Sequence, residues 1–193
     1  MNAPLERRAA MATLVAGRDD DFLVVPGLGS TTYDLAAAGD DDRNFYLWGA
    51  MGGAAMIGLG LALAQPGKRV AVITGDGEML MGMGALATIG IQKPANLAVI
   101  VFDNGAYGET GAQPSHTAGG VDMGEVARGC GFPTCLEVTD EATLADLAGR
   151  LKSLDGLLFA RVAIRLEEPP RVLPEKDGAV LKRRFRAALG LAP

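Results

Sequence analysis

The sequence predicts an α/β fold with a three-layer, doubly wound architecture, in which a mostly parallel sheet of about six strands carries helices on both faces. The first observation is that short, β-rich apolar runs alternate along the chain with longer segments of helical pattern. The second is that several of these runs are continuously apolar, as is typical of strands covered on both sides. The third is composition: 49% of the 193 residues are hydrophobic and 21% are charged, which favours one globular domain, residues 1–193.

The strands are predicted where apolar runs are short and the helices where the pattern is longer. TDEAT gives the helix at residue 140 a cap-like start, and the apolar residues of LKRRFRAALG recur at helical spacing beside a basic face. That spacing predicts a packing or subunit-contact helix in a C-terminal helical tail, residues 171–193. The predicted strands are 22–27, 44–48, 69–75, 97–104, 134–138 and 157–164, and the predicted helices are 5–16, 30–38, 51–65, 79–90, 122–130 and 140–153.

One uncharged stretch, WGAMGGAAMIGLGLALA at residues 48–64, is close to the lower limit of length for a membrane span. A buried, glycine-rich helix explains it better, because small residues let a helix press closely against its neighbours. The amino terminus has arginines but no apolar core like that of a signal peptide, so we expect a cytoplasmic protein without a membrane partner.

Charge and cysteine usage exclude further classes. The net charge of −5 argues against a nucleic-acid partner and gives no attraction to anionic membranes. Cys130, Cys135 and the single His116 are too few for a structural zinc site, so we interpret the cysteines as structural thiols.

Two loops are the candidates for function, because ligands of such sheets bind where the carboxyl ends of the strands meet. TGDG, residues 74–77, ends one predicted strand, and the long polar segment FDNGAYGETGAQPSHTAGG begins at the end of the next. A dinucleotide fingerprint does not fit the first loop, since Leu80 stands where a third glycine is needed and the loop follows about the third strand rather than the first.

A metal site fits both loops. The interval between Asp76 and Asn104 is long enough for one crossover helix and one return strand, so both side chains reach the same sheet edge. Aspartate, asparagine and backbone oxygens suit Mg²⁺ or Ca²⁺, and Mg²⁺ commonly borrows phosphate oxygens from a ligand. Two alternatives stay open: Asp76 caps a helix, or Asn104 and Gly105 merely form a turn.

GDG, a crossover and then DNGAYG resemble the motif of thiamine diphosphate enzymes, GDG followed by NN or a near variant. The resemblance implies that thiamine diphosphate and Mg²⁺ bind here, with Asp76, Asn104 and the backbone carbonyl of Ala106 as metal ligands. Asp103 stands where the family has the first asparagine, and Gly75 and Gly77 are expected to leave space for the diphosphate.

Two other segments are similar to the same family. WGAMGGA places Gly49 near the aminopyrimidine and Met51 under the bent cofactor, although Met51 has a simple core role as its alternative. PGLGST resembles the loop that touches the diphosphate. The residues that the resemblance assigns to the cofactor are Gly29, Ser30, Gly49, Ala50, Met51, Gly75, Asp76, Gly77, Glu78, Asn104, Ala106, Tyr107 and Gly108.

The family also needs a glutamate that activates the cofactor from a separate pyrimidine-binding domain, for which this sequence has no room. The resemblance therefore implies a pyrimidine-domain alpha subunit that supplies this glutamate, in a hetero-oligomer. Among split enzymes the chain is most similar to the beta subunit of sulfopyruvate decarboxylases and to phosphonopyruvate decarboxylases. These decarboxylate a small anionic 2-oxo acid to an aldehyde, with the cofactor accepting the electron pair.

The alternatives are another split enzyme of the family, such as an acetolactate synthase, and a non-catalytic cofactor-binding or regulatory subunit. Glu109 and His116 lie on the loop expected to face the substrate, so both are catalytic candidates. Gln113 and Ser115 are candidate hydrogen-bond donors to a sulfonate or phosphonate group. The methionines that follow TGDG, Met79, Met81 and Met83, are interpreted as packing residues.

Overall fold

A computed structural model describes residues 4–192 of the chain. Seven strands are described: β1 (Phe22–Pro26), β2 (Arg69–Gly75), β3 (Leu97–Asp103), β4 (Ala106–Tyr107), β5 (Gln113–Pro114), β6 (Thr134–Val138) and β7 (Leu158–Ala163). Five of these form one parallel sheet in the order β1-β2-β3-β7-β6, and β4 pairs with β5 as a small antiparallel hairpin outside it.

The helices of the described residues lie close to their predicted places. They are α1 (Arg7–Val15), α2 (Ser30–Ala38), α3 (Ala54–Ala64), α4 (Asp76–Met81), α5 (Gly84–Gln92), α6 (Met123–Gly129), α7 (Glu141–Lys152) and α8 (Gly178–Ala188). Within the predicted tail 171–193 only α8 is helical among the described residues, and the ends of the predicted domain, residues 1–3 and 193, lie outside them. None of the helices found between residues 4 and 192 has the length and apolar character needed to cross a bilayer.

The strand predicted at residues 44–48 is wrong, so the sheet has five strands rather than about six. Asn44 forms a single parallel bridge to Val24, in which the amide of Phe45 donates to the carbonyl of Val24 at 2.8 Å. The next ladder bond on this edge would need an N–H from Pro26, and proline has none. The segment therefore leaves β1 after one bridge.

The helix predicted at residues 79–90 is also wrong as a single element, because α4 and α5 are separate. Gly82 follows α4, and a Cβ atom at Gly82 would lie 2.2 Å from the backbone oxygen of Gly52. This close approach of two backbones holds Gly82 outside helical geometry, with φ −99° and ψ 19°. The break leaves Asp76 at the first residue of the short α4.

The sheet separates two hydrophobic cores, because successive side chains of a buried strand point to opposite faces. On β3, Ile100 and Phe102 pack with α1, α2 and α7, whereas Val99 and Val101 pack with α3, α5 and α6. Cys130 and Cys135 are free, half-buried thiols at the border of the second core. The three-layer arrangement confirms the predicted fold class.

Candidate functional site

Three loops meet at the carboxyl edge of the sheet, after β1, β2 and β3, around a cavity of about 200 Å³. The predicted functional loops are therefore neighbours in space, as the parallel topology requires. Four groups of residues line the cavity. They are Arg7 of α1 with Leu28, Ser30, Thr31 and Asp34 from the loop after β1 and from α2; Gly75, Asp76, Gly77 and Glu78 at the junction of β2 and α4; Phe102, Asn104, Ala106, Tyr107, Gly108, Glu109 and Thr110 from the end of β3 and the segment after it; and Met51 and Ile164.

Asp76 is a buried carboxylate that has no basic partner among residues 4–192. The residue is 2% exposed, and Oδ2 accepts a hydrogen bond from Ser115 Oγ at 2.5 Å and lies 3.3 Å from Thr117 Oγ1. Burial raises the pKa of Asp76, and the negative charge of Asp103 raises it further, against the hydrogen bond from Ser115. Among the ion pairs found within residues 4–192, none includes Asp76.

Asp76 is not the N-cap residue of α4, although its carboxyl group lies close to the amide of Gly77. Gly75 is the N-cap of α4, and Asp76 is already the first helical residue. Anions are favoured at this end of a helix, but here the effect of burial on the carboxyl group is the larger one. The residue lines the wall of the cavity.

Asp103, at the end of the neighbouring strand β3, has its own counter-ion. Its Oδ2 accepts a hydrogen bond of 2.5 Å from Nε of Arg161 on β7, and Oδ1 accepts from the amide of Gly105 at 2.9 Å and from Thr117 Oγ1 at 2.8 Å. Arg161 also pairs with Glu137 on β6 at 3.0 Å. The acidic residue at the family's first asparagine position is therefore neutralised within this chain.

Asn104 and Gly105 do form a turn. Asn104 Oδ1 accepts a 2.9 Å hydrogen bond from the amide of Ala106, and Gly105 has φ +71°, which favours glycine. The turn presents Asn104 and Ala106 to the same cavity as Asp76. An amide oxygen has a second lone pair, so the turn and a ligand role are compatible.

The two glycines of TGDG, both expected to leave space for a diphosphate, differ in what lies beside them. A Cβ atom at Gly77 would lie 2.5 Å from Cε1 of Tyr107, so the tyrosine ring occupies that space. A Cβ atom at Gly75 would have no neighbour within 4 Å among the described residues. Both glycines line the cavity; Gly75 leaves open space beside it, while the lack of a side chain at Gly77 lets Tyr107 pack against α4.

Glu78 lines the cavity and also ties its loops together. It is 5% exposed, and Oε2 accepts hydrogen bonds from the amide of Leu28 at 2.8 Å and from Thr74 Oγ1 at 2.9 Å. Burial raises the pKa of Glu78 against these two hydrogen bonds and the nearby amides of Gly52 and Ala54. Oε1 makes no hydrogen bond of normal geometry within residues 4–192.

The two candidate catalytic residues lie in different places. Glu109 lines the cavity, where Oε2 accepts from Arg171 Nη2 at 3.0 Å and Oε1 accepts from Ser30 Oγ at 3.4 Å. His116 is exposed and lines an adjoining groove instead. Of the candidate anion donors, Gln113 is exposed and bonds to Thr110, whereas Ser115 is buried and donates to Asp76.

Of the three residues predicted in the segment around Met51, only Met51 lines the cavity. Met51 is 39% exposed and lines both the cavity and the groove, so its core alternative is wrong. Gly49 and Ala50 do not line the cavity, and neither does Gly29, which abuts Glu109.

The packing role is confirmed for Met79 alone. Met79 is buried in the second core, whereas Met81 and Met83 are exposed along the groove, so the packing role predicted for them is wrong.

Several residues of the site were not predicted. Asp34 is fully buried at the cavity wall, with Nε of Arg7 3.0 Å and Nε of Arg8 3.2 Å from its carboxylate oxygens. The pairing of Arg161 could have been predicted, because a lone arginine in the apolar run LLFARVAI requires an acidic partner. No such signal marks Thr117.

The three candidate metal ligands are hard oxygens: the carboxylate of Asp76, the amide oxygen of Asn104 and the backbone carbonyl of Ala106. Within residues 4–192 no group of three or more histidine, cysteine, aspartate or glutamate side chains forms a metal-binding cluster. A divalent cation with few protein ligands, whose shell is completed by water and phosphate oxygens, fits this donor set. A cation at this place would compensate the buried charge of Asp76.

Comparison with known proteins identifies relatives over most of the chain. Residues 28–162 match the family model described as thiamine pyrophosphate enzyme, C-terminal TPP binding domain. The phosphonopyruvate decarboxylase of Streptomyces viridochromogenes is 38% identical over 192 residues, which are 97% of this chain and 47% of that protein. The sulfopyruvate decarboxylase subunit beta of Methanothermobacter thermautotrophicus is 38% identical over 161 residues, 83% of each chain.

A further beta subunit, from Methanocaldococcus jannaschii, is 46% identical over 112 residues, 58% of this chain and 59% of that one. The chain thus spans about half the length of some relatives and most of another. Among solved structures, benzoylformate decarboxylase from Polynucleobacter necessarius superposes with a TM-score of 0.71 at 21% identity, over 86% of this chain and 34% of that one. That likeness concerns the fold.

Proposed function

Because this chain belongs to the thiamine pyrophosphate enzymes, as their C-terminal cofactor-binding domain, we propose that it is the diphosphate-binding subunit of a 2-oxo acid decarboxylase. The first candidate reaction converts sulfopyruvate to sulfoacetaldehyde and CO₂. Phosphonopyruvate is the second candidate substrate, because a phosphonopyruvate decarboxylase is similar to this chain over almost all of its length. Both substrates are small 2-oxo acids with a second anionic group.

The observation that carries the proposal is the buried Asp76 carboxylate, which has no basic partner among the described residues. Asp76, Asn104 and the carbonyl of Ala106 would hold Mg²⁺, and the ion would supply the positive charge that Asp76 lacks. The open face of Gly75 leaves room beside this group for phosphate oxygens. Mg²⁺ would thereby anchor the diphosphate of the cofactor at the carboxyl edge of the sheet.

When bound, thiamine diphosphate supplies the electron sink for decarboxylation. The residues of this chain bind and orient it: Glu78 fixes the loops after β1 and β2, and Met51 lies at the cavity mouth. Of the two predicted catalytic residues, we retain Glu109 to contact the substrate, because it lines the cavity. His116, in the adjoining groove, is not retained in a direct role.

The activating glutamate is proposed to come from a pyrimidine-domain partner in a hetero-oligomer. Glu78 is engaged with Leu28 and Thr74, and Glu109 is engaged with Ser30 and Arg171. The names of two relatives as beta subunits support a partner chain.

The test is to co-express the chain with the adjacent reading frame, if that encodes a pyrimidine-binding domain, and to measure aldehyde release from sulfopyruvate, phosphonopyruvate and pyruvate. We expect activity on an anionic 2-oxo acid that requires both chains, thiamine diphosphate and Mg²⁺. Activity of this chain alone would contradict the split site, and activity on pyruvate alone would favour an acetolactate synthase-like enzyme. Cofactor binding by the assembled complex, with no turnover of any substrate, would indicate a regulatory subunit.

A further inference from the structure

Two hydroxyl groups reach Asp76 from far along the chain. Ser115 lies 39 positions after Asp76 and is 4% exposed, yet its Oγ donates to Asp76 Oδ2 at 2.5 Å. The backbone places it there, because the amide of Ser115 donates to the carbonyl of Gly105 at 2.8 Å directly after the β4–β5 hairpin. The loop that carries the candidate ligands Asn104 and Ala106 therefore returns to hold the third candidate.

Thr117 connects the same carboxylate to the neutralised one. Its Oγ1 is 2.9 Å from Ser115 Oγ, 3.3 Å from Asp76 Oδ2 and 2.8 Å from Asp103 Oδ1. Asp103 is in turn fixed by Arg161 at 2.5 Å, so the hydroxyl pair is attached to a charge-paired group in the sheet. The chain of contacts runs from the sheet to one oxygen of Asp76.

On the basis of the proposed Mg²⁺ site, we propose that Ser115 and Thr117 are positioning residues. They hold the carboxylate of the metal ligand Asp76 in place. Ser115 donates its hydroxyl proton to Oδ2, and the Thr117 hydroxyl, whose one proton goes to the closer Asp103 Oδ1, lies against the same oxygen. Together the two contacts fix the carboxylate rotamer with which Asp76 would face a cation. Mg²⁺ demands a strict octahedral geometry, whereas Ca²⁺ accepts varied ones. Loss of the hydroxyls therefore weakens Mg²⁺ more than Ca²⁺, and loss of such outer contacts typically costs about 10- to 100-fold in metal affinity.

The alternative is that the hydroxyls only satisfy a buried carboxylate. In that case, their removal lowers the melting temperature of the metal-free protein and leaves the metal preference unchanged. The two roles are distinguished by comparing the Mg²⁺ and Ca²⁺ concentrations that give half-maximal cofactor binding. The ratio of these concentrations changes if the hydroxyls position Asp76 and stays constant if they only satisfy it. That ratio does not depend on turnover.

The experiment measures thiamine diphosphate binding by calorimetry, at increasing Mg²⁺ or Ca²⁺, with the full chain in complex with its partner. Ser115→Ala and Thr117→Val are compared with Thr117→Ser, which keeps the hydroxyl, and with Ser153→Ala, which alters an exposed serine at the end of α7. We expect the half-saturating Mg²⁺ concentration to rise about 10- to 100-fold in Ser115→Ala and by a smaller factor in Thr117→Val. Ca²⁺ should change several-fold less, and the two controls should behave as the wild type.

An unchanged Mg²⁺ requirement in Ser115→Ala and Thr117→Val, or equal losses for both metals, would overturn the positioning role. If Ser115→Ala does not fold, the comparison of Thr117→Val with Thr117→Ser decides the question alone. Failure of the wild-type complex to bind thiamine diphosphate in a metal-dependent way would instead refute the proposed site itself. The two failures are therefore distinguishable.

Discussion

Asp76 follows β2 and Asp103 ends the neighbouring strand β3; both are buried, but within residues 4–192 only Asp103 of the two has a basic partner. Arg161 on β7 reaches Asp103 and not Asp76, and Thr117 touches both carboxylates. Asp34 resembles Asp103, because Arg7 and Arg8 surround it. Among the described residues, Asp103 and Asp34 thus have counter-ions, whereas Asp76 and Glu78, which both line the cavity, have none; a cation from outside is proposed to bind at Asp76.

The two carboxylates are also expected to affect the stability of the protein in different ways. An ionised carboxyl group buried without a positive partner destabilises the metal-free protein, whereas a paired one depends on its partner for stability. Replacing Asp76 should therefore harm binding, and breaking the Asp103 pair should harm folding.

The largest expected effect is that of Asp76→Asn. This variant should lose detectable Mg²⁺-dependent binding of thiamine diphosphate in calorimetry, because its neutral side chain does not attract the ion. Its metal-free form should be more stable than wild type by about 1–2 kcal/mol in urea denaturation, since the unpaired buried charge is gone. Asp146→Asn, on the exposed face of α7, should change neither quantity. Normal cofactor binding by Asp76→Asn would refute the site.

The second largest effect is expected from breaking the ion pair between Asp103 and Arg161. Arg161→Gln should destabilise the protein by about 2–3 kcal/mol in urea denaturation, because Asp103 is left buried without its counter-ion. This loss of unfolding free energy is smaller than that expected for a fully buried ion pair, because the Arg161 side chain is 31% exposed. Adding Asp103→Asn should restore most of the stability. A double variant as unstable as Arg161→Gln would show that the arginine acts through packing and not charge.

A smaller effect should appear in the pH dependence of stability. Burial raises the folded-state pKa of Asp76 above the ordinary value of 3.8, so the folded state retains a proton that the unfolded state has lost. The resulting destabilisation is absent below pH 3.8 and grows as the pH rises from there through the folded-state pKa. The stability advantage of Asp76→Asn over metal-free wild type should therefore grow over the same pH range, which urea denaturation at a series of pH values measures. An advantage that does not vary with pH would contradict this cause.

Much of the site is predictable from sequence because parallel strands place their carboxyl ends together. Asp76, Asn104 and Ala106 meet at one cavity for that reason alone. The strand at 44–48 was predicted wrongly because apolarity does not reveal the edge bond that Pro26 cannot make. A pattern within one segment therefore locates the loops but not every pairing.

The unpredicted contacts join residues that are distant in sequence. Tyr107 packs on Gly77, Thr117 bridges two carboxylates and Arg161 crosses from β7 to β3. Arg161 alone has a local signal, because a charge in a buried strand needs a partner. The others depend on how the loop after β3 folds back, which no short motif specifies.

The smallest expected effect concerns Glu109, which is paired like Asp103 but lies at the surface. Its side chain is 40% exposed and that of Arg171 is 62% exposed, so water and salt screen the 3.0 Å ion pair. Glu109→Gln should change the free energy of unfolding by less than about 1 kcal/mol, and a double-mutant cycle with Arg171→Gln should give a coupling of similar size that shrinks in high salt. A coupling above about 2 kcal/mol would mean that the pair behaves like the buried one. Because little stability depends on Glu109, a loss of turnover in Glu109→Gln would report on the reaction rather than on folding.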